Sequence, residues 1–126
     1  MNQSGNIKES ATSFLLLASA GQVDEAYGAF VGEGFRHHNP YFPGDAGSLM
    51  AGMRENALKH PEKTLEIQRI LQDGDLVAVH SRVRMHAAHS GVALVHIFRF
   101  EAGKIVELWD IGQVVPESSS NAYGMF

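Results

Sequence analysis

At 126 residues, 44% of them hydrophobic, the chain is the length of one domain and can bury a real core, removing about two-thirds of its unfolded surface from water. A formal charge of -4 and a pI near 5.9, with no basic run, exclude a nucleic-acid surface. The absence of cysteine excludes disulfides, thiol nucleophiles and thiolate metal sites.

Met1 to Gly5 is polar and reads as a frayed end. Ile7 to Ala20 reads as a helix, because Ile7, Ala11, Phe14, Leu15 and Ala18 recur at helical spacing and Gly21 follows. Its apolar run, Phe14 to Ala18, is far too short to span a bilayer, and Lys8 and Glu9 ahead of it do not make the basic start of a signal peptide. The default expectation is a cytoplasmic protein without membrane or nucleic-acid partners. A second helix covers Val23 to Phe30, with Asp24 and Glu25 at its positive end. Gly32 and Gly34 are expected to break this helix. Phe35 to Asn39 is a short extended piece stopped by Pro40, and Tyr41 to Gly47 is a loop. A third helix spans Ser48 to Lys59, capped by Ser48, with Leu49, Met50, Met53 and Leu58 turned inward.

From Lys63 the pattern changes to strands: Thr64 to Leu71, a tight turn at Asp73-Gly74-Asp75, Leu76 to Met85, then a loop from His86 to Gly91. Val92 to Phe100 and Ile105 to Ile111 flank a Gly-containing turn and read as a hairpin, with Glu101 facing Lys104. Pro116 to Phe126 is a Ser-rich tail. Helices first and antiparallel strands last is an α+β signature, a sheet with one face covered by helices.

His96 and Asp110 are polar residues among apolar neighbours, where an unpaired polar group is costly. An acid and an imidazole on adjacent strands are the minimum equipment for proton transfer. Their parity poses a question. With regular pairing from a two-residue turn, His96 faces Trp109 and Asp110 points to the opposite face, toward Arg82, Arg84 or Arg99. One extra residue, in a β-bulge or a longer turn, brings His96 and Asp110 to the same face.

The string His96-Ile-Phe-Arg-Phe100, the turn exit Gly103-Lys-Ile105 and Glu107-Leu-Trp-Asp110 resemble the C-terminal hairpin of SnoaL-like polyketide cyclases. These belong to the nuclear transport factor 2-like superfamily, with ketosteroid isomerases and scytalone dehydratase. The resemblance covers about Ile7 to Val115. It implies a single SnoaL-like domain over 1-126, with a core at 5-115 and a tail at 116-126. The implied fold is a cone-shaped, curved antiparallel sheet wrapped over about three N-terminal helices, a cystatin-like α+β barrel. In those cyclases a His and an Asp fourteen residues apart lie in the pocket and the Asp is the proposed acid/base, which favours the bulge and makes Asp110 and His96 catalytic candidates.

His37 and His38 point to opposite faces of an extended segment, so one of them faces inward. The resemblance places His38 near the catalytic base of ketosteroid isomerases; the alternative makes both surface histidines. The Asn39-Pro40 stop resembles the pocket-rim segment of SnoaL-like proteins, and Tyr41 and Phe42 after it could form an apolar lid. Met53, His80, Phe98 and Trp109 complete the expected substrate contacts, although packing alone would also account for Met53 and Trp109. Seven histidines permit a metal by count, with His86 and His89 close together, yet no spacing matches a dedicated site.

The resulting expectation is a cofactor-independent acid/base enzyme without a metal, acting on a small hydrophobic carbonyl ligand by aldol cyclisation, isomerisation or dehydration. The alternative is a non-catalytic ligand-binding or dimeric interaction module. The resemblance also implies a homodimer through the outer sheet face, for which Val77, Val79 and Val83 are the candidate residues.

Overall fold

The computed structural model describes residues 7–126, so the polar stretch Met1 to Gly5 lies outside the described residues. Helix α1 (Ile7–Ser19) buries Ile7, Ala11, Phe14, Leu15 and Ala18, the stripe its spacing predicts. Helix α2 (Val23–Phe30) buries Val23, Ala26 and Tyr27. Tyr27 meets Phe14 and Phe35 edge-on, at ring-centroid distances of 5.2 and 5.9 Å. Helix α3 (Ala46–Lys59) begins two residues before its predicted start. Asp45 caps it, its carboxylate accepting from the Ser48 N–H at 2.9 Å, and Ser48 is the residue that donates.

Leu49 is the buried residue of α3, while Leu58 is 83% exposed, against expectation. The reason is angular: nine residues at about 100° each put Leu58 on the opposite side of the helix from Leu49. Leu49, Met53 and Asn56 share the inward side, at i, i+4 and i+7.

Five strands form one unclosed sheet in the order β1-β5-β4-β3-β2. They are β1 (Val31–His37), β2 (Thr64–Asp73), β3 (Leu76–Arg84), β4 (Val92–Glu101) and β5 (Lys104–Val114). The β2 to β5 pairs are antiparallel, and β1 adds to β5 in parallel. Helix α2 stops at Phe30 as expected, and Gly32 and Gly34 lie beyond it within β1. Gly34 takes a φ of +77°, and the register against β5 shifts between Val31 and Arg36. Ala102 and Gly103, both at positive φ, make the two-residue turn that pairs Glu101 with Lys104.

The inner sheet face carries Val77, Val79, Phe98, Phe100, Ile105 and Leu108, packed with Phe14, Leu15 and Tyr27 in one core. Each such fully buried large side chain contributes about 1.5–3 kcal/mol. Val77, Val79 and Val83 therefore cannot form an outer interface: they are 0%, 0% and 6% exposed. Val79 is paired with His96 and Val77 with Phe98, both inward-facing, so the odd positions of β3 face the helices. The opposite parity puts Ala78, Val95, Ile97, Trp109 and Ile111 outside, together with Arg36, His38, Arg99 and Glu107. Beyond β5, Phe126 returns to this outer face, its ring stacked 5.7 Å from His80 with the Arg82 guanidinium 4.9 Å from its centroid. No helix among the described residues is long and apolar enough to cross a membrane.

Candidate active site

The pairing of β4 with β5 decides where Asp110 points. Phe100 pairs with Ile105 and Arg99 with Glu107, so Val106 is an extra residue in β5. Beyond that bulge His96 lies directly opposite Asp110, and Phe98 opposite Leu108. The short turn and the shared face are thus compatible, because the bulge supplies the missing residue. Val106 itself is buried, close to where a Cβ on Gly32 of β1 would lie.

Asp110 is half-buried, and its Oδ2 accepts from the Asn39 side-chain amide at 3.1 Å. Asn39 is fixed in turn: its Oδ1 accepts from the Tyr41 N–H at 2.9 Å, and its own N–H donates to His37 Nδ1 at 3.1 Å. His96 is 7% exposed, and its Nδ1 is buried without a hydrogen-bond partner. Burial pushes its pKa down to about 4, against the pull of the Asp110 carboxylate, so the imidazole is neutral at pH 7.

Tyr27 adds a hydroxyl that sequence reasoning passed over. Burial raises its pKa above the usual phenol range, and the Asp110 charge raises it further. Its hydroxyl donates to Met53 Sδ at 3.4 Å, a weak acceptor. The spacing of Val23, Ala26 and Tyr27 on one face of α2 is the signal that could have found it.

Of the adjacent histidines it is His37 that turns inward, at 5% exposure. Because its Nδ1 accepts from Asn39, Nε2 carries the hydrogen, and that atom is buried without a partner. His38 lies on the outer face, stacked on Trp109 at 5.0 Å and bonded through Nε2 to Glu107 at 2.6 Å. Strand alternation is the cause. The same alternation removes Trp109, which precedes Asp110 and pairs with Ile97, and His80, which meets Phe126, from the inner face. Phe98 is inward but wholly buried as core. Tyr41 is 86% exposed. Phe42 is half-buried on α3, where a Cβ on Gly52 would come within 2.4 Å of its ring, so only glycine leaves room for it.

A cavity of about 160 Å³ opens beside His96, between α1, α3 and the sheet, with Leu15, Met53, Leu65, Met85 and Leu94 in its walls and Asn56 and Lys63 toward its edge. Among the described residues no group of three or more His, Asp or Glu side chains could hold a metal ion.

The profile of the SnoaL-like domain matches residues 12–108. The chain belongs to the SnoaL-like domain family. This SnoaL-like protein is also similar in fold to several solved structures. An NTF2-like protein of unknown function from Cytophaga hutchinsonii shares 15% identity, with 85% of this chain and 89% of that one covered and a TM-score of 0.66. A cystatin-fold protein from Novosphingobium aromaticivorans gives 20%, 83%, 97% and 0.68 in the same order. AclR, a putative hydroxylase from Streptomyces galilaeus, gives 19%, 86%, 82% and 0.65. No curated protein sequence matches the chain.

The buried imidazole makes the stability of this SnoaL-like protein depend on pH in a defined window. Unfolded, His96 takes up its proton near 6.5; folded, only near 4. Between those values the unfolded chain binds more protons, so stability falls as pH drops from about 6.5 to about 4, by about 3 kcal/mol if the shift acts in full. Glu107 acts in a lower window: hydrogen bonds from Arg36 and His38, with Arg99, hold it near 2, so its contribution is present above 4.5 and lost as pH falls toward 2. Urea unfolding from pH 7 to 4 should show the His96 slope, and His96→Phe should flatten it. An unchanged slope in the variant would count against a buried neutral His96.

Proposed function

We propose that this SnoaL-like domain is an acid/base enzyme that acts on a hydrophobic carbonyl compound through an enolate. The observation that carries this reading is the cross-strand pairing of His96 with Asp110 on the inner sheet face, beside an apolar cavity. The apolar body of the ligand enters the cavity, and its carbonyl turns toward the two polar residues. Asp110 has one oxygen engaged by Asn39, which leaves the other to take an α-proton. The electrons of the broken C–H bond pass into the carbonyl, which becomes the enolate oxygen.

Neutral His96 presents one N–H, and Tyr27 a hydroxyl held by nothing stronger than a thioether, so both are available to donate to that oxygen. A fixed donor in a water-poor cavity is worth about 2.7–4 kcal/mol of barrier. The carbonyl is the electron sink, so the chemistry calls for no cofactor. Return of the proton to another carbon gives isomerisation, loss of a β-hydroxyl gives dehydration, and attack on a second carbonyl gives aldol cyclisation.

A second reading, a ligand-binding module without catalysis, draws support from the cavity itself. Its walls include His96 but not Asp110. The two readings part in one experiment. In deuterium oxide, exchange of the protons α to the carbonyl of 4-phenylbutan-2-one is followed by NMR. The enzyme reading expects exchange above the buffer rate, and Asp110→Asn should lower it by about 10²–10⁴-fold. Equal exchange with both proteins would take Asp110 out of the mechanism, and exchange at the buffer rate would leave the binding module.

We also propose that the protein pairs with a second copy through the outer sheet face. Ile111 is 62% exposed there, next to half-buried Trp109, Val95 and Ile97. Sizing should give about twice the 13.7 kDa chain mass, and Ile111→Asp should shift it to the single-chain value. A wild-type protein that elutes as a single chain would rule out the pairing.

A further inference from the structure

The cavity beside His96 adjoins a second space across shared side chains. Ser19 and Lys63 line it and also line an outer cleft of about 450 Å³, formed with Arg54, His60 and Pro61 at the end of α3. The two spaces differ in character. The inner one is walled mainly by leucine, methionine and valine, whereas the outer one carries cationic and titratable groups. The inner space, at about 160 Å³, matches the ~150 Å³ that holds a single benzene ring. Lys63 stands between the two spaces, within reach of the outer end of a ligand too long for the inner one.

Lys63 differs from the other cations around α3. Lys59 pairs with Glu55 at 2.8 Å, and Arg54 pairs with Asp24. The ammonium of Lys63 donates to a neutral group instead, the Asn56 side-chain oxygen at 2.5 Å. It is partly buried, and burial lowers its pKa; among the described residues no carboxylate forms an ion pair with it. A partly desolvated charge beside a neutral amide is an incomplete arrangement, which an arriving anion would complete. Lysine stems also cover apolar surface for packing alone, but that role does not call for the ammonium to be held by the Asn56 side chain at the cavity.

We propose that the natural substrate is an apolar carbonyl compound bearing an anionic group, such as a carboxylate, and that Lys63 binds that group where the cavity meets the cleft. This names the substrate class of the site argued above and rests on that reading for the carbonyl end alone. Lys63 then acts as a specificity determinant, setting which way round the ligand enters: ring and carbonyl inward, anion outward toward Lys63 and His60.

The test compares two ketones of one skeleton, 4-phenylbutan-2-one and 4-(3-oxobutyl)benzoate, by calorimetric titration of the full chain at low salt, where a charge contact is least screened. The anionic ketone should bind about tenfold more tightly than the neutral one, the ratio that one charge-assisted contact supplies. Lys63→Met should bring the ratio of the two affinities to about one, and Lys63→Arg should restore it, with thermal melts showing that both variants fold. A ratio near one in the wild type, a ratio that survives Lys63→Met, or no binding of either ketone at millimolar concentration would overturn the proposal. Proton exchange measured on the same samples separates this from the acid/base reading: a Lys63-dependent preference without exchange sinks that reading alone, and exchange without preference sinks this one alone.

Discussion

One extra residue, Val106, decides which side chains of β5 face the interior of this molecule. A β-strand offers its residues alternately to two faces, so a single insertion reverses every position beyond it. The turn at Ala102-Gly103 fixes Glu101 against Lys104, and a regular ladder from there would send Asp110 outward. The bulge at Val106 turns it inward, opposite His96. The same reversal sends Glu107 outward, where its buried carboxylate receives Arg36, Arg99 and His38. Two carboxylates three residues apart therefore meet opposite environments. One is saturated with cations and structural. The other has a single amide partner and a neutral imidazole opposite it, and so has capacity left for a ligand.

The inner face holds several polar atoms that the fold leaves unfinished. His96 Nδ1 and His37 Nε2 are buried without partners, and the Tyr27 hydroxyl has only a sulfur. Each buried orphan costs about 1–3 kcal/mol. Concentrated around one carboxylate and one cavity, that deficit marks where a polar ligand group would be welcome. Asn39 ties the set together, bonding Asp110 through its side chain and His37 through its backbone. Lys63 extends the pattern to the far edge of the cavity, a cation served by an amide.

The helices were legible in the sequence because apolar spacing and glycine stops point the same way. Val23–Phe30 agrees to the residue, and the α1 stripe agrees position by position. The strands from Thr64 onward were legible for the same reason. What was not legible was parity. His37 and His38 alternate, and nothing in Phe35-Arg-His-His-Asn-Pro says which one faces the helices; the parallel pairing of His37 with Leu108 of β5, far away in sequence, decides it. Val77, Val79 and Val83 read equally well as a core face or an exposed face until their partners on β4 are known. Gly32 and Gly34 read correctly as the end of α2, but glycine marks turns more often than strand irregularities, so the start of β1 at Val31 was not legible. Tyr27 and Lys63 carry no motif, and their importance comes from what burial brings next to them.

The central claim is that the imidazole of His96 and the carboxylate of Asp110 share one interior. The ring signals of His96, followed by NMR as pH is lowered, test it most directly. The account predicts a neutral ring down to about pH 4, and a still lower midpoint in Asp110→Asn, because the carboxylate charge is what holds the midpoint up against burial. A ring that titrates near 6.5, with the same midpoint in Asp110→Asn, would mean that the two groups do not meet.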